Sequence, residues 1–139
     1  MVMLSASGGG RFEKAGAYVR AKRVGPFVFV AGTTAIEPSG KLHAPGDTYA
    51  QSIFRVCTNC RRALERVGAK MSHVVRTRAY LTDMSDAGGF VRAHGEIFAG
   101  IEPVSTAIEA GLTTPGMMVE IEIDAIIHDG EGRLALDDN

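Results

Sequence analysis

Tryptophan is absent from this chain, and cysteine occurs only twice, at Cys57 and Cys60. Two cysteines fall short of the four ligands that a structural zinc site needs, and no histidine lies at ligand spacing nearby. Their position within an apolar-periodic segment favours two small buried side chains over a redox pair. Patterns for a phosphate loop, a metal centre or a Ser-His-Asp triad are also missing, so we expect no metal and no cofactor.

Long apolar runs are missing as well. No segment approaches the roughly 20 residues that a membrane span requires, and the first ten residues do not have the charged and apolar regions of a signal peptide. We therefore expect a cytoplasmic protein without membrane contact. With 45% hydrophobic and 22% charged residues, the composition is that of an ordinary globular domain.

The formal net charge is only −1, but the charges are distributed unevenly. Residues 1–54 carry six basic and three acidic groups, residues 55–92 eight basic and three acidic, and residues 93–139 one basic and ten acidic. We expect the acidic last third to pair with the basic middle, within one chain or between subunits. A nucleic-acid surface is the weaker interpretation, because the basic segment lacks interleaved aromatic residues and the pI is about 6.4.

Hydrophobic periodicity predicts two helices and five strands. Apolar residues recur every three or four positions over 47–67, where Asp47 can cap the first turn and Gly68 can end the helix. A second, glycine-weakened helix is predicted over 87–98. The predicted strands are 17–24, 27–31, 73–81, 105–110 and 119–127, and the first two form a hairpin across Gly25-Pro26.

The element order β-β-α-β-α-β-β predicts an α+β fold, a single sheet of five to six strands with two helices on one face. Residues 15–128 form the predicted domain, preceded by a loose arm over 1–14 and followed by a polar tail over 129–139. The last strand alternates strictly between apolar and acidic residues. Two helices cover only one face of such a sheet, so we expect oligomerisation to cover the other.

Six segments in this order resemble the RidA/YjgF family. They are GAY at 16–18, VFVAG at 28–32, ALERVGA at 63–69, VVRTRAYLTDM at 74–84, Pro103, and VEIEIDA at 119–125. The resemblance covers about residues 16–128. It implies a chorismate-mutase-like fold and a homotrimer with small-molecule sites between the subunits.

The best-known members of that family hydrolyse reactive enamines and imines, such as 2-aminoacrylate, to 2-keto acids and ammonia. The resemblance places Glu122 where a glutamate positions the attacking water, and Tyr18 where a tyrosine closes the pocket. Ala107 matches the residue whose backbone amide helps to bind the substrate carboxylate.

One departure from the family pattern concerns the arginine that clamps the substrate carboxylate, whose position is occupied by Ser105. A hydroxyl cannot replace a bidentate, charge-assisted guanidinium contact. Arg92, which takes the position of a usual asparagine, is the first candidate for a relocated clamp, and Arg78 is the second. Both could equally be structural ion-pair partners. His94 lies on the apolar stripe of its helix, as a buried histidine or as a pocket residue.

These residues leave more than one function open. The first hypothesis is a deaminase acting on imines or enamines other than 2-aminoacrylate, or on a broader range. The second is a non-catalytic trimer that binds a small molecule or a partner. The third is an endoribonuclease, which the charge pattern and the lack of a histidine pair for acid–base cleavage oppose.

Overall fold

The computed structural model describes residues 2–136, apart from the side chains of Val56 and Cys57. The prediction of a buried Cys57 side chain, and residues 137–139 of the predicted tail, therefore lie outside the described residues. Six strands form one mixed sheet. They are β1 (Met3–Ala6), β2 (Ala21–Val24), β3 (Phe27–Thr33), β4 (Val74–Leu81), β5 (Val104–Glu109) and β6 (Val119–Ile126).

The strand order across the sheet is β1-β2-β3-β6-β4-β5, so the last strand of the chain lies at the centre. All neighbouring strands are antiparallel except β4 and β5, which are parallel. A parallel pair needs a crossover connection, and helix α3 (Ala87–Phe98) supplies it. The predicted helix over 87–98 is confirmed, and the α+β architecture with it.

The first predicted helix is also present, but it is divided into three segments. These are α1 (Thr48–Phe54), a π-helical segment (Arg55–Cys60) and α2 (Arg61–Arg66). The Asp47 carboxylate accepts a hydrogen bond from the amide of Ala50 at 2.9 Å, which confirms the predicted cap. Among residues 2–136, no helix is long and apolar enough to cross a membrane.

The alternation predicted for the last strand divides the sheet into two faces. Val119, Ile121 and Ile123 are buried in the core that β6 shares with α2 and α3. Among residues 2–136, no helix packs on the opposite side of the sheet, which we call the open face. Glu120, Glu122 and Asp124 of β6 point to the open face, because successive side chains of a strand alternate.

Two predictions for the N-terminal region are wrong in detail. Met3–Ala6, within the segment expected to be a loose arm, pairs with β2 as an edge strand. The predicted strand over 17–24 begins only at Ala21. Ala17 has a φ of 58°, in the left-handed region that extended backbone excludes.

Arg55 is fully buried within the π-helical segment. Its guanidinium donates hydrogen bonds to the backbone carbonyls of Thr33 and Val119. Strand pairing between β3 and β6 is irregular between Val30 and Thr33, so Arg55 satisfies carbonyls where the sheet does not. Burial lowers the pKa of Arg55 to about 10, and the side chain is still charged at neutral pH.

We expect Arg55→Ala to lower the free energy of unfolding by about 3 kcal/mol, because it leaves a cavity and two buried carbonyls without donors. Chemical denaturation followed by circular dichroism measures this change. Arg61→Ala, on the exposed side of α2, is the control and should change stability by less than about 0.5 kcal/mol. Equal stability of the two variants would contradict the role assigned to Arg55.

Candidate functional site

A cavity of about 510 Å³ lies on the open face, where β2, β3 and β6 meet the segment before β2. Tyr18 and Glu122, the two residues matched to family site positions on this face, both line it. The remaining lining residues are Ser5, Ala17, Val19, Lys22, Phe29, Val30, Ala31 and Asp124. A second hollow of about 540 Å³, where α1 and α3 begin, contains none of the predicted site residues.

Glu122 is held in place by two groups from β4. The Tyr80 hydroxyl donates a hydrogen bond to Glu122 Oε1 at 2.8 Å, and Arg78 Nη1 lies 3.6 Å from the same oxygen. The hydrogen bond to Glu122 raises the pKa of Tyr80 above its usual value, because losing the phenolic proton would place two anions together. Tyr80 is therefore a permanent donor at neutral pH, and it fixes the orientation of the carboxylate.

The arginines of β4 pair with the acids of β6. Arg78 Nη1 lies 3.2 Å from Asp124 Oδ2, and Arg76 Nε lies 3.7 Å from the same oxygen. This confirms, for these residues, the prediction that the acidic last third pairs with the basic middle. Arg78 is thus beside the cavity, but its charge is shared between two carboxylates.

A turn with a strained backbone at Ala17 determines the position of the Tyr18 ring. Ala17 has a positive φ of 58°, which costs a non-glycine residue about 1–3 kcal/mol. A Cβ added to Gly16 would lie 3.0 Å from the Phe12 carbonyl oxygen and 3.0 Å from the Tyr18 ring. The close approach at Gly16 and the turn at Ala17 place the Tyr18 ring at the edge of the cavity, where it is 42% exposed.

The segment before this turn is organised by Glu13, whose side chain is almost fully buried. Its carboxylate accepts hydrogen bonds from the amides of Gly8 and Gly10 at 2.9 and 3.0 Å, and Arg20 Nε lies 3.3 Å away. Burial alone would raise the pKa of Glu13, but the two amides and the Arg20 charge lower it below its usual value. This carboxylate therefore holds the turn that carries Tyr18.

Ser105, at the predicted clamp position, is on the side of the sheet that faces the helices. The Thr77 hydroxyl, which is fully buried, donates to Ser105 Oγ at 2.8 Å and lies 2.9 Å from His94 Nε2. Since Thr77 has a single proton and gives it to Ser105, His94 donates in this arrangement. His94 also contacts the rings of Phe90 and Phe98.

Arg92 lies on the outer surface of α3. Its guanidinium stacks on the Tyr49 ring at 3.7 Å from the centroid, and its Nε lies 3.5 Å from Glu96 Oε1. Within one chain, Arg92 and Glu122 are therefore on opposite sides of the sheet. Within one chain each of the two arginines thus has an acidic partner, and their role as a relocated clamp stays a prediction.

The predicted residues thus form two groups. Tyr18, Glu122 and Arg78 are at or beside the cavity, whereas Ser105, Ala107, His94 and Arg92 lie on the helix-covered side of the sheet or on α3. Tyr80 is two residues after Arg78 in β4 and shares its face of the sheet, but the sequence alone does not assign that face to the cavity. Lys22 was missed, because only the pairing of β2 with β3 shows that its face of the sheet lines the cavity. Among residues 2–136, no three metal-binding side chains converge.

We expect stability to decrease as the pH falls below the ordinary histidine pKa of 6.5. Burial is the main cause that lowers the pKa of both His94 and His73 in the folded chain. The unfolded chain therefore binds more protons in the window below pH 6.5, and the stability present above it is lost there. Urea denaturation between pH 7.5 and 5 should show a weaker pH dependence for His94→Gln than for wild type. Superimposable pH profiles would contradict this.

A sequence profile of the endoribonuclease L-PSP family matches residues 9–127. A RutC family protein of Pyrococcus abyssi is 33% identical over 107 residues, which cover 77% of this chain and 84% of that protein. The 2-iminobutanoate/2-iminopropanoate deaminase of Mus musculus is 27% identical over 111 residues, covering 80% of this chain and 82% of the deaminase.

Structural comparison gives the same result. The crystal structure of a YjgF/YER057c/UK114 family member from Mycobacterium tuberculosis is 38% identical, with a TM-score of 0.80 over 91% of this chain and 100% of the other. The sequence segments quoted above, the six-stranded sheet and the long sequence match agree. This chain therefore belongs to the endoribonuclease L-PSP family, also known as the YjgF/RutC/RidA family.

Proposed function

We propose that this protein hydrolyses small reactive imines, and the enamines that tautomerise to them, to a carbonyl compound and ammonia. The observation that carries this proposal is the Glu122 carboxylate, which Tyr80 and Arg78 hold in the same cavity as Tyr18. A fixed carboxylate in a small cavity suits general acid–base catalysis, because it can exchange a proton with a bound water. The deaminase activity named for the mouse relative supports the same reaction class.

The reaction needs one proton acceptor that later becomes the donor. With the imine protonated on nitrogen, water adds to the carbon of the C=N bond while Glu122 accepts a proton from it, which gives a neutral carbinolamine. The protonated Glu122 then gives this proton to the amino nitrogen. The C–N bond breaks and ammonia leaves, while the C=O bond forms and the hydroxyl proton passes to the Glu122 carboxylate. Tyr80 donates to Glu122 throughout and keeps one oxygen oriented, so the other is available to the water.

We also propose a homotrimer in which a partner completes the site. In one chain the cavity is on the open face, whereas Ser105, Ala107 and His94 are on the helix-covered side. A site that uses both groups needs a second copy. The open face supports this, because it exposes large apolar side chains, among them Phe27 at 45% and Phe29 at 52%. Exposed apolar surface of this kind is typical of subunit contacts.

A second candidate is a trimer that binds a small molecule without turnover. Ser105 favours it, because it occupies the position at which the family resemblance predicts the clamping arginine, and because Arg92 and Arg78 each have an ion-pair partner within the chain. An endoribonuclease activity, which the family description suggests, finds less support. The two arginines of β4 on the open face are paired with carboxylates instead of being available to phosphates.

We expect Glu122→Gln to reduce ammonia release from enzymatically generated imines by about 100-fold or more, because the amide cannot accept the proton of the water. Glu65→Gln, on the exposed surface of α2, should retain the wild-type rate. An active Glu122→Gln variant would exclude the proposed role of this carboxylate. A ligand that raises the melting temperature of wild type without being consumed would favour the non-catalytic alternative.

The assembly is tested by Phe27→Asp. This places a charge on the exposed apolar part of the open face, and burying it in a subunit contact is costly. Light scattering at micromolar concentration should give three times the chain mass for wild type and one chain mass for the variant, with an unchanged circular dichroism spectrum. Met84→Asp alters an exposed apolar residue in the turn before α3 and should remain trimeric. A monomeric wild type would contradict the trimer.

A further inference from the structure

A row of four side chains crosses the open face next to Glu122. Lys22 of β2 is opposite Phe29 of β3, Phe29 is opposite Asp124 of β6, and Asp124 is opposite Arg76 of β4. Neighbouring strands are about 4.8 Å apart, and residues directly opposite each other point to the same face. Lys22 is therefore fixed in register on the cavity side of the sheet, and it lines the cavity together with Phe29, Glu122 and Asp124.

The charged side chains that line this cavity differ in whether they have an ion-pair partner. Both carboxylates have partners, since Arg78 lies 3.6 Å from Glu122 and 3.2 Å from Asp124, and Arg76 also reaches Asp124. The Lys22 ammonium has no ion-pair or hydrogen-bond partner among residues 2–136. Among the three charged residues that line the cavity, Lys22 is therefore the one without such a partner.

The position of Lys22 relative to its neighbours favours a particular ligand. An ammonium on a flexible four-carbon stem can bind a single anionic group as a point charge. Phe29 next to it and Tyr18 at the cavity edge provide apolar surface for a short alkyl chain. Glu122 lies on β6, two strands away from Lys22. The C=N bond to which the Glu122-bound water adds and the anion that Lys22 binds can therefore belong to one small molecule.

We propose that Lys22 binds the substrate carboxylate, so that the cavity selects 2-imino carboxylates, the substrates named for the mouse relative, over uncharged imines. This inference rests on the proposed function, because it assigns the specificity of the same cavity. It also explains how carboxylate recognition can persist with Ser105 at the clamp position. The charge that binds the carboxylate is then on β2, the strand that pairs with β3, and not on β5.

The first test compares Lys22→Met, which keeps the length of the side chain, with Lys22→Arg, which keeps its charge. Ammonia release is measured with 2-iminobutanoate, generated by an amino acid oxidase, and with an uncharged imine, generated by an amine oxidase. Lys22→Met should raise KM for 2-iminobutanoate by about 10- to 100-fold, the effect of losing a contact to a charged group. The uncharged imine should be turned over as by wild type, and Lys22→Arg should restore most of the loss.

Lys41→Met, in the exposed loop before α1, is the matched control and should behave as wild type. An unchanged KM for 2-iminobutanoate in Lys22→Met would overturn the assignment. Equal losses for both imines would overturn it as well, since they would indicate a changed cavity shape and not a missing charge.

The second test separates binding from turnover. Ligand-observed NMR on the full chain uses 2-oxobutanoate and, as its uncharged counterpart, 2-butanone. Wild type should bind 2-oxobutanoate more tightly than 2-butanone, and Lys22→Met should lose that preference. If no imine releases ammonia, the proposed function fails, but this preference still decides the role of Lys22. A wild type without preference for 2-oxobutanoate would refute the role independently of catalysis.

Discussion

Strand β6 lies between β3 and β4, and the alternation of its side chains divides the molecule into a packed side and an open side. Its apolar residues complete the core beneath the helices, so β6 cannot slip by one residue without burying three carboxylates. The same fixed register sets Glu122 opposite Arg78 and Asp124 opposite Arg76. The stability of the core and the geometry of the cavity therefore both depend on the register of β6.

The irregular pairing between β3 and β6 connects this constraint to the buried arginine. Gly32 lies within the irregular stretch, and a Cβ there would approach Glu120 Oε1 to 2.7 Å. Arg55 satisfies the carbonyl of Thr33 in the same stretch, from the helix side. Ala31, which directly precedes Gly32 in this stretch, lines the cavity. The π-helical segment and the cavity therefore lie on opposite faces of the sheet at the same irregular stretch of β3.

Periodicity was sufficient to predict the helices, the last three strands and the two-sided nature of β6, because each depends on a repeated apolar pattern. A change of backbone conformation at a single residue produces no such repeated pattern in the sequence. The positive φ of Ala17 belongs to a local turn in which the Tyr18 amide donates to the Glu13 carbonyl, and it explains why β2 begins later than predicted. The π-helical turn at Arg55 coincides with long-range hydrogen bonds from its guanidinium to the sheet. Edge strand β1 is short and largely exposed, so its residues show no burial pattern to detect.

The candidate site was predictable in part for the same reason. Glu122 and Tyr18 could be identified because the segments around them resemble a family, whereas Arg92 was assigned by position and lies on the outer surface of α3. The sequence establishes that Arg76, Arg78 and Tyr80 share a face, but the choice between two faces requires the strand order. Lys22 belongs to the same category, because only its pairing with Phe29 places it near Asp124.

The strand order also has a consequence for biosynthesis. The centre of the sheet is made from residues 119–126, which leave the ribosome after every other strand. Until then, β1-β2-β3 and the β4-α3-β5 unit have no strand between them, and each exposes an unpaired inner edge. Such edges are sites of non-native association during folding. The two half-sheets can therefore join only after residues 119–126 have been synthesised, and their inner edges stay unpaired until then.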